Sequence, residues 1–355
     1  MNKIIKKILI VLIFVFVFTS FSCAKKEELL KFDIHTELQN KYLSGPRDNA
    51  TLYAKGLEEL SYPNPVTLTW KGEDKTYVVT LSLDENFENS KDYYTDTNKI
   101  SIYNLYILKM YYYKVLDGEE EIVNSKFVIT SFGPRNMYVD GLSNCRDVGG
   151  WLLDDNKIIK QGLIYRSSKL NNDESTDLVI SEVGLSTLKK EFNIKTEIDL
   201  REVENNENGG ITESPIGSDV NYVSIPMVSG GNILLLNKDK MKELFEVFGD
   251  SNNYPIIFHC SIGTDRTGLV SLLLLGLLEA SEDDIYRDYA FSNFGLIYRV
   301  RLTKNVDDYL KTLKQNYNAP TLKEMIIKYL VDCGVELENI NNFISLMKED
   351  YKPYE

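Results

Sequence analysis

The chain has 355 residues, of which 43% are apolar and 26% are charged. These fractions are typical of globular proteins, so they exclude a disordered chain and a bundle of membrane-spanning helices, and the length predicts two domains. The net charge of −13 repels phosphate backbones and argues against general nucleic-acid binding. Two histidines and four cysteines are too few for histidine-rich or four-thiolate zinc sites. We therefore expect chemistry without a metal or cofactor.

Residues 1–22 have the pattern of a cleaved signal peptide. A basic start precedes an apolar run at 8–18, which is too short to span a bilayer stably. The residues around Cys23 resemble a bacterial lipoprotein processing site. This resemblance implies that acyl chains on Cys23 tether the chain to the extracytoplasmic face of the cell membrane, with a stalk over 23–45. The alternative is a secreted protein without lipid.

Residues 46–133 are predicted to form an all-β sandwich. Apolar and polar side chains alternate at 66–70 and 77–83, as half-buried strands require. Leu105 and Tyr111 match the spacing of the tyrosine corner, so the region resembles a fibronectin type III domain. That resemblance implies a Tyr111 hydroxyl bonded to backbone. We expect the sandwich to position the second domain or to bind an unknown partner.

Residues 134–355 have the pattern of an α/β domain. Short apolar runs at 196–200 and 255–258 alternate with helical patterns, which predicts a mainly parallel sheet flanked by helices. The apolar run at 269–278 is too short for a membrane span and predicts a buried helix.

The chemistry converges on the segment HCSIGTDRTG, residues 259–268, between a predicted strand and the buried helix. Five residues separate Cys260 from Arg266. At this spacing the chain can curl into a cup whose N–H groups point inward at the positive end of a helix, and such a cup binds a tetrahedral oxyanion. Arg266 can fork onto the anion, and the same field stabilises a thiolate at Cys260. We therefore expect Cys260 to be a nucleophile.

The residues expected to contact the bound anion are Ser261, Ile262, Gly263, Thr264, Asp265 and Arg266. Gly263 permits a backbone conformation that a side chain would hinder. His259 is expected to support the cup from behind.

This segment, the signature loop, resembles that of the cysteine-dependent tyrosine and dual-specificity phosphatases. Segments 144–150, 162–168 and 198–201 are similar to those of bacterial tyrosine phosphatases that act on proteins and phosphoinositides. The resemblance implies in-line attack by Cys260 and a phosphocysteine intermediate.

The resemblance also suggests roles around the loop. Thr267 would donate a hydrogen bond to the sulfur and help it leave. Thr264 stands where relatives carry lysine, which argues against a phosphoinositide preference. Arg146, Asp147, Arg166 and Arg201 recur in the family-like segments and are expected to brace the fold through ion pairs, with contact to substrate as the alternative.

Protonation of the leaving oxygen needs an acid, and Asp199 and Asp265 are equal candidates. Cys145 and Cys333 are expected to be core or partly buried thiols, although a reversible disulfide between Cys145 and Cys260 is a further hypothesis.

Three functions follow from these motifs. The first is a protein-tyrosine phosphatase acting on phosphorylated proteins. The second is a phosphatase of phosphoinositides or inositol phosphates. The third is a surface lipoprotein that binds phosphorylated ligands without turnover, and the presence of Cys260, Arg266 and Thr267 argues against it because a binder needs no nucleophile.

Overall fold

The computed structural model describes residues 29–171 and 178–354. The signal peptide and Cys23 predicted from the sequence lie outside these residues. Over the described ranges, every helix is too short or too polar to cross a bilayer.

The strands are β1 (Leu30–Phe32), β2 (Val66–Thr69), β3 (Tyr77–Ser82), β4 (Ser90–Thr95), β5 (Lys99–Ile102), β6 (Met110–Asp117), β7 (Glu120–Ile129), β8 (Arg135–Asn136), β9 (Arg146–Asp147), β10 (Leu152–Leu153), β11 (Lys157–Ile159), β12 (Ile164–Ser167), β13 (Thr196–Asp199), β14 (Asn221–Ser224), β15 (Ile256–His259) and β16 (Lys348–Asp350). The α-helices are α1 (Glu37–Leu43), α2 (Ala50–Tyr53), α3 (Glu182–Ser186), α4 (Ile233–Leu236), α5 (Met241–Gly249), α6 (Asp265–Leu277), α7 (Glu282–Phe291), α8 (Lys304–Asn316), α9 (Leu322–Asp332) and α10 (Leu337–Met347).

The N-terminal part contains two β-sheets that share one core. One sheet has the order β1-β7-β6-β3-β4, and the other pairs β2 with β5. Alternate residues such as Val66 and Leu68 are buried, as the period-two pattern predicts. The Tyr111 hydroxyl accepts a hydrogen bond of 2.7 Å from the Tyr106 amide, so its predicted bond to backbone is confirmed. The fibronectin type III assignment and the domain boundaries stay predictions.

The segment expected to form a stalk is folded from Leu30 onward. Strand β1 pairs in parallel with β7, with Leu30 opposite Phe127. Helix α1 begins after Thr36, whose side chain and that of Gln39 form a reciprocal cap. Tyr42 on this helix packs in one apolar cluster with residues of the C-terminal part. An exposed stalk is wrong for these residues because the segment is paired with the sheet and Ile34, Tyr42 and Leu43 are buried in the fold.

The C-terminal part contains a six-stranded sheet of order β14-β13-β15-β12-β9-β8. Strands β14, β13, β15 and β12 are parallel, and β9 and β8 extend the sheet in antiparallel pairs. Ile256 and Phe258 of β15 belong to the core cluster that contains α5, α6, α9 and α10, whereas Ile257 belongs to the cluster that contains Leu188. The predicted α/β architecture, with a mainly parallel sheet and helical segments on both faces, is therefore confirmed.

Helix α6 is the buried helix predicted from the apolar run. Every residue from Arg266 to Leu277 is buried, as expected for a helix packed on all sides. Gly268 lets the helix approach α7 closely, because a Cβ atom there would lie 2.7 Å from the Tyr289 ring. The first turn of α6, which carries Arg266 and Thr267, is thus held against its neighbours.

Candidate active site

The signature loop connects the end of β15 to the start of α6. Strand β15 ends at His259 and α6 begins at Asp265, so residues 260–264 form the turn between them. Gly263 has φ of +69°, and a Cβ atom there would lie 2.4 Å from the Ser167 carbonyl oxygen. Both facts exclude a side chain at this position.

Two side chains hold the outer surface of the turn. The Asn144 amide donates hydrogen bonds to the carbonyl oxygens of Ile262 (3.1 Å) and Gly263 (3.0 Å), and Arg166 donates to that of Gly263 (2.7 Å). Because a trans peptide directs its N–H away from its C=O, the following amides point to the inside of the turn. The amides of Gly263 and Thr264 thus have the orientation that the predicted cup requires, and Asn144 is a supporting residue that the sequence analysis missed.

A buried charge network stabilises these supports. Asp288 on α7 accepts hydrogen bonds from Arg146 Nε (2.8 Å) and Arg166 Nη1 (2.6 Å). Burial opposes ionisation of Asp288, but the two guanidinium groups outweigh it and lower its pKa. Arg146 thus has the bracing position expected of it, and Arg166 joins the network to the cup.

The sulfur of Cys260 lies at the base of the cup, and the residue is only 2% exposed. Burial disfavours the thiolate, but the Arg266 charge and the nearby Thr267 side chain and amide outweigh it and lower the pKa of Cys260. Thr267 therefore has the predicted position beside the sulfur. The combination of a low pKa and an anion cup is what a phosphoryl-accepting nucleophile needs.

Arg266 is held by a carboxylate that the sequence analysis did not single out. Glu207 receives hydrogen bonds from both Nη atoms of Arg266, at 2.7 Å to Nη1, and from the Ser261 hydroxyl. The backbone carbonyls of Leu200 and Met227 also accept from Nη1. Within the described residues, these contacts use the Nη atoms and leave the Nε edge of the guanidinium to meet an oxyanion.

The contact with Arg266 keeps the Glu207 side chain ionised. Burial opposes ionisation of Glu207, but hydrogen bonds from Arg266 and Ser261 outweigh it and lower its pKa to about 2. Glu207 is therefore a carboxylate at any working pH. No motif distinguishes it from Glu202 and Glu204 of the same loop, and the usable signal is that this loop follows the carboxyl end of a parallel strand.

A sequence profile of the tyrosine phosphatase family matches residues 137–355, which is more than half of the chain and contains the whole signature loop. The chain belongs to the tyrosine phosphatase family. A curated relative in Cupriavidus necator is 25% identical to this chain over 187 residues. Its name assigns it provisionally to the tyrosine-protein phosphatases. The match covers 45% of this chain and 64% of that relative, so the chain spans less than two thirds of the relative's length.

Two solved structures also align with this chain. The catalytic core of the PP-IP phosphatase SIW14 of S. cerevisiae has 17% identity and a TM-score of 0.30, and the match covers 54% of this chain and 99% of that one. TpbA of P. aeruginosa has 13% identity and a TM-score of 0.31, with 50% and 91% covered. These scores are too low to assign a shared fold.

The two acid candidates predicted from the sequence have different surroundings. Asp199 is fully buried and accepts hydrogen bonds from Arg201, at 2.6 Å to Nη2, and from the Tyr222 hydroxyl at 2.9 Å. Burial opposes its ionisation, but His259 and Arg201 outweigh it and lower the pKa of Asp199. A buried, ionised carboxylate with its partners in place does not reach a leaving group, so the structure argues against Asp199 as the acid.

Asp265 is turned outward at the first turn of α6. Its carboxylate contacts Arg301 Nη2 at 3.0 Å, the Tyr289 hydroxyl at 3.1 Å and the Asn305 amide at 3.2 Å. Its side chain is 24% exposed and lines a cavity beside the signature loop. The negative charge therefore does not point into the cup, and the carboxylate is accessible from solvent.

His259 lies behind the cup, as expected. Its Nδ1 atom is 3.2 Å from the Cys260 carbonyl oxygen and its Nε2 atom is 2.9 Å from Glu197, which is also buried. Burial opposes protonation of His259, but the carboxylates of Asp199 and Glu197 outweigh it and raise its pKa. The ring thus ties the loop to β13, and Glu197 is a second carboxylate that the sequence analysis missed.

Of the remaining predicted residues, Asp147 lies outside the cup and Thr264 ends the turn that forms it. Asp147 accepts hydrogen bonds from Arg135 at 2.7 Å and from two backbone amides, so it braces the fold. Thr264 is fully buried, and its hydroxyl has no partner among the residues that the structure describes. Over 29–171 and 178–354, no three His, Cys, Asp or Glu side chains are grouped to hold a metal ion.

The disulfide hypothesis fits the structure poorly. Cys145 packs in the core cluster that contains Ile257, whereas Cys260 packs in the cluster on the other face of the sheet. Burial raises the pKa of the Cys145 thiol well above its usual range, so it is a poor thiolate. Cys145 is a core thiol, as first expected.

We expect Glu207→Gln to lower kcat/KM by about 10- to 100-fold, because a neutral amide replaces one charge-assisted contact to Arg266 of about 1.5–3 kcal/mol. Steady-state kinetics measure kcat/KM, and competition with inorganic phosphate measures the inhibition constant. We expect kcat/KM to fall and the inhibition constant to rise in the same variant. Glu204→Gln, in the exposed part of the same loop, is the matched control. Equal behaviour of the two variants would show that Glu207 does not position Arg266.

Proposed function

We propose that the chain hydrolyses phosphomonoesters through a phosphocysteine intermediate. The observation that carries this proposal is the buried Cys260 with a lowered pKa at the base of a cup of inward amides, beside an Arg266 held at both Nη atoms. Membership of the tyrosine phosphatase family supports the same reaction.

The first step transfers the phosphoryl group to sulfur. The Cys260 thiolate forms the S–P bond while the P–O bond to the leaving oxygen breaks, and that oxygen takes a proton from an acid. The inward amides and Arg266 stabilise the equatorial oxygens. In the second step a water oxygen attacks phosphorus, its proton passes to the acid's conjugate base, and the sulfur leaves as a thiolate that the nearby Arg266 and Thr267 stabilise.

Asp265 is the acid in this proposal, because it is the solvent-accessible candidate and adjoins Arg266 in the chain, and it exchanges its contact with Arg301 for the leaving oxygen. We expect Asp265→Asn to lower turnover of alkyl phosphates by about 100-fold or more and turnover of activated aryl phosphates far less, because only the alkoxide needs a proton to leave. Asp199→Asn should lower turnover of both substrates alike, because it disturbs Arg201 and His259 and does not act on the leaving group. Initial rates on both substrates measure the two ratios. An equal loss on both substrates for Asp265→Asn would remove it as the acid.

Phosphotyrosine in proteins is the substrate class that we propose. Cys260 is almost fully buried, so the reacting phosphorus lies below the surface, and an aryl phosphate reaches further than a serine phosphate. Thr264 adds no positive charge to the cup, which disfavours phosphoinositides. Phosphoinositides or inositol phosphates are the second substrate class to test. Dual specificity, which is activity on both phosphotyrosine and phosphoserine peptides, is the third case.

Phosphate release from phosphotyrosine peptides, phosphoserine peptides and phosphoinositides tests the proposal. Phosphotyrosine peptides should have the highest kcat/KM. Mass spectrometry of acid-quenched enzyme should show a phosphoryl adduct on the peptide containing Cys260. Binding of phosphopeptides without release or adduct would instead indicate a binding lipoprotein.

We also propose that Cys23 carries a lipid that anchors the protein at the extracytoplasmic face of the cell membrane. The support is the lipoprotein-like sequence around Cys23. The wild type should fractionate with membranes, and Cys23→Ser should be released from them. Membrane association of both forms would contradict the lipid anchor.

A further inference from the structure

A cavity of about 850 Å³ adjoins the signature loop. Its walls are residues 229–233, residues 299–302 and the side of α8, and Asp265 closes one end. Because Asp265 directly precedes Arg266 in the chain, the cavity lies next to the cup. Its volume is that of a typical ligand site.

The cavity carries an excess of positive charge. Its basic residues are Arg299, Arg301, Lys304 and Lys311, and its acidic residues are Asp265 and Asp308. Arg301 pairs with Asp265, and Lys304 pairs with Asp308. Arg299 and Lys311 have no ion pair among the described side chains. Although the chain has a net charge of −13, it therefore presents two cationic side chains without an ion-pair partner beside the signature loop.

The same cavity also exposes apolar side chains. Val300 is 39% exposed and Leu302 is 65% exposed, and both alternate with arginines along one wall. A polyphosphorylated polyol has no apolar surface to cover them. A peptide that carries both acidic and apolar side chains complements both features of the wall.

The wall formed by residues 229–233 leaves room for a peptide backbone. Gly230 and Gly231 have φ of +89° and +61°, and neither carries a side chain to fill the space. Asn232 donates a hydrogen bond of 3.1 Å to the Thr312 hydroxyl on α8, which ties this loop to the helix. This contact fixes two walls of the cavity relative to each other.

We propose that this cavity binds the residues that flank the phosphotyrosine of a protein substrate. An aspartate or glutamate of the substrate contacts Arg299 and Lys311, and an apolar side chain packs on Val300 and Leu302. This inference rests on the proposed function and adds to it a preference for phosphotyrosine with acidic neighbours.

The test compares Arg299→Gln/Lys311→Gln with the wild type on three substrates. These are a phosphotyrosine peptide with acidic neighbours, the same peptide with the amide residues Asn and Gln in their place, and a small aryl phosphate. We expect kcat/KM for the acidic peptide to fall about fivefold or more, as two exposed ion pairs of up to about 1 kcal/mol each allow, with the other two substrates nearly unchanged. Lys314→Gln is the matched control, because Lys314 lies on α8 outside the cavity.

Two results would overturn the inference. An equal loss on all three substrates would place the effect in the cup and not in the cavity. With an inositol polyphosphate assayed as a fourth substrate, a loss on it without a loss on the acidic peptide would assign the cavity to a polyphosphorylated small molecule.

A binding measurement separates this inference from the proposed function. The acidic phosphopeptide, carrying a fluorophore, is titrated with Cys260→Ser protein with and without the Arg299/Lys311 changes. Weaker binding after those changes supports the cavity even if the wild type releases no phosphate. Unchanged binding overturns the inference even if the wild type is active.

Discussion

Cys260→Ser is expected to reduce phosphate release by about 10⁴-fold or more, as removal of a covalent nucleophile does. The cup lowers the pKa of the Cys260 thiol through Arg266 and Thr267, but a serine hydroxyl starts from a far higher pKa and stays protonated in the same field. Serine has nearly the same shape, so the fold and the anion cup should remain. Phosphate release and circular dichroism measure the two expectations.

Cys333→Ser is the matched control for this variant. Cys333 is half-buried, and burial raises the pKa of its thiol to about 11, so its replacement should leave activity unchanged.

The kcat/KM of the wild type should rise with pH as the Cys260 thiolate forms and level off below the usual cysteine range, because the pKa of Cys260 is lowered. Retention of wild-type rates by Cys260→Ser would reject the phosphocysteine route.

Asp288→Asn is expected to lower the free energy of unfolding by about 3–5 kcal/mol, because it leaves two buried guanidinium groups without their carboxylate. Arg146 and Arg166 both bond to Asp288, and Arg166 also holds the Gly263 carbonyl of the cup. Activity should therefore fall together with stability. Urea unfolding of the two proteins measures the difference.

The sign of its pH dependence follows from the pKa of Asp288, which is lowered in the folded state. Its contribution to stability is present above the unfolded pKa and is lost as the pH falls through the folded pKa. The difference between variant and wild type should therefore shrink in strong acid. Asp283→Asn on the same helix, whose carboxylate is exposed beside Arg47, should cost less than about 1 kcal/mol. Equal losses for the two variants would contradict the network.

The reactive pair was predictable because Cys260 and Arg266 lie in one short turn. Chain connectivity alone brings five intervening residues into a cup between a strand and a buried helix. Gly263 was predictable for the same local reason, since its positive φ is a property of the turn. The alternating and continuous apolar patterns likewise predicted the β-rich part and the parallel sheet.

The supporting residues were not predictable from local pattern. The stalk expected up to residue 45 pairs instead with β7, through partners about a hundred residues away in the chain. Asp199 and Asp265 looked alike as acids, and only the positions of Tyr222 and Arg301 distinguish a buried carboxylate from an accessible one.

The sequence by itself determined the chemistry of the cup, because a nucleophile, an arginine and a glycine within ten residues constrain one another through the backbone. Only the tertiary structure decided which carboxylates serve the cup. Glu207 binds Arg266 across 59 residues and Glu197 binds His259 across 62. The physical reason is that the role of a carboxylate depends on the charges and hydrogen-bond donors that distant segments bring to it, and those partners leave no local pattern in the chain.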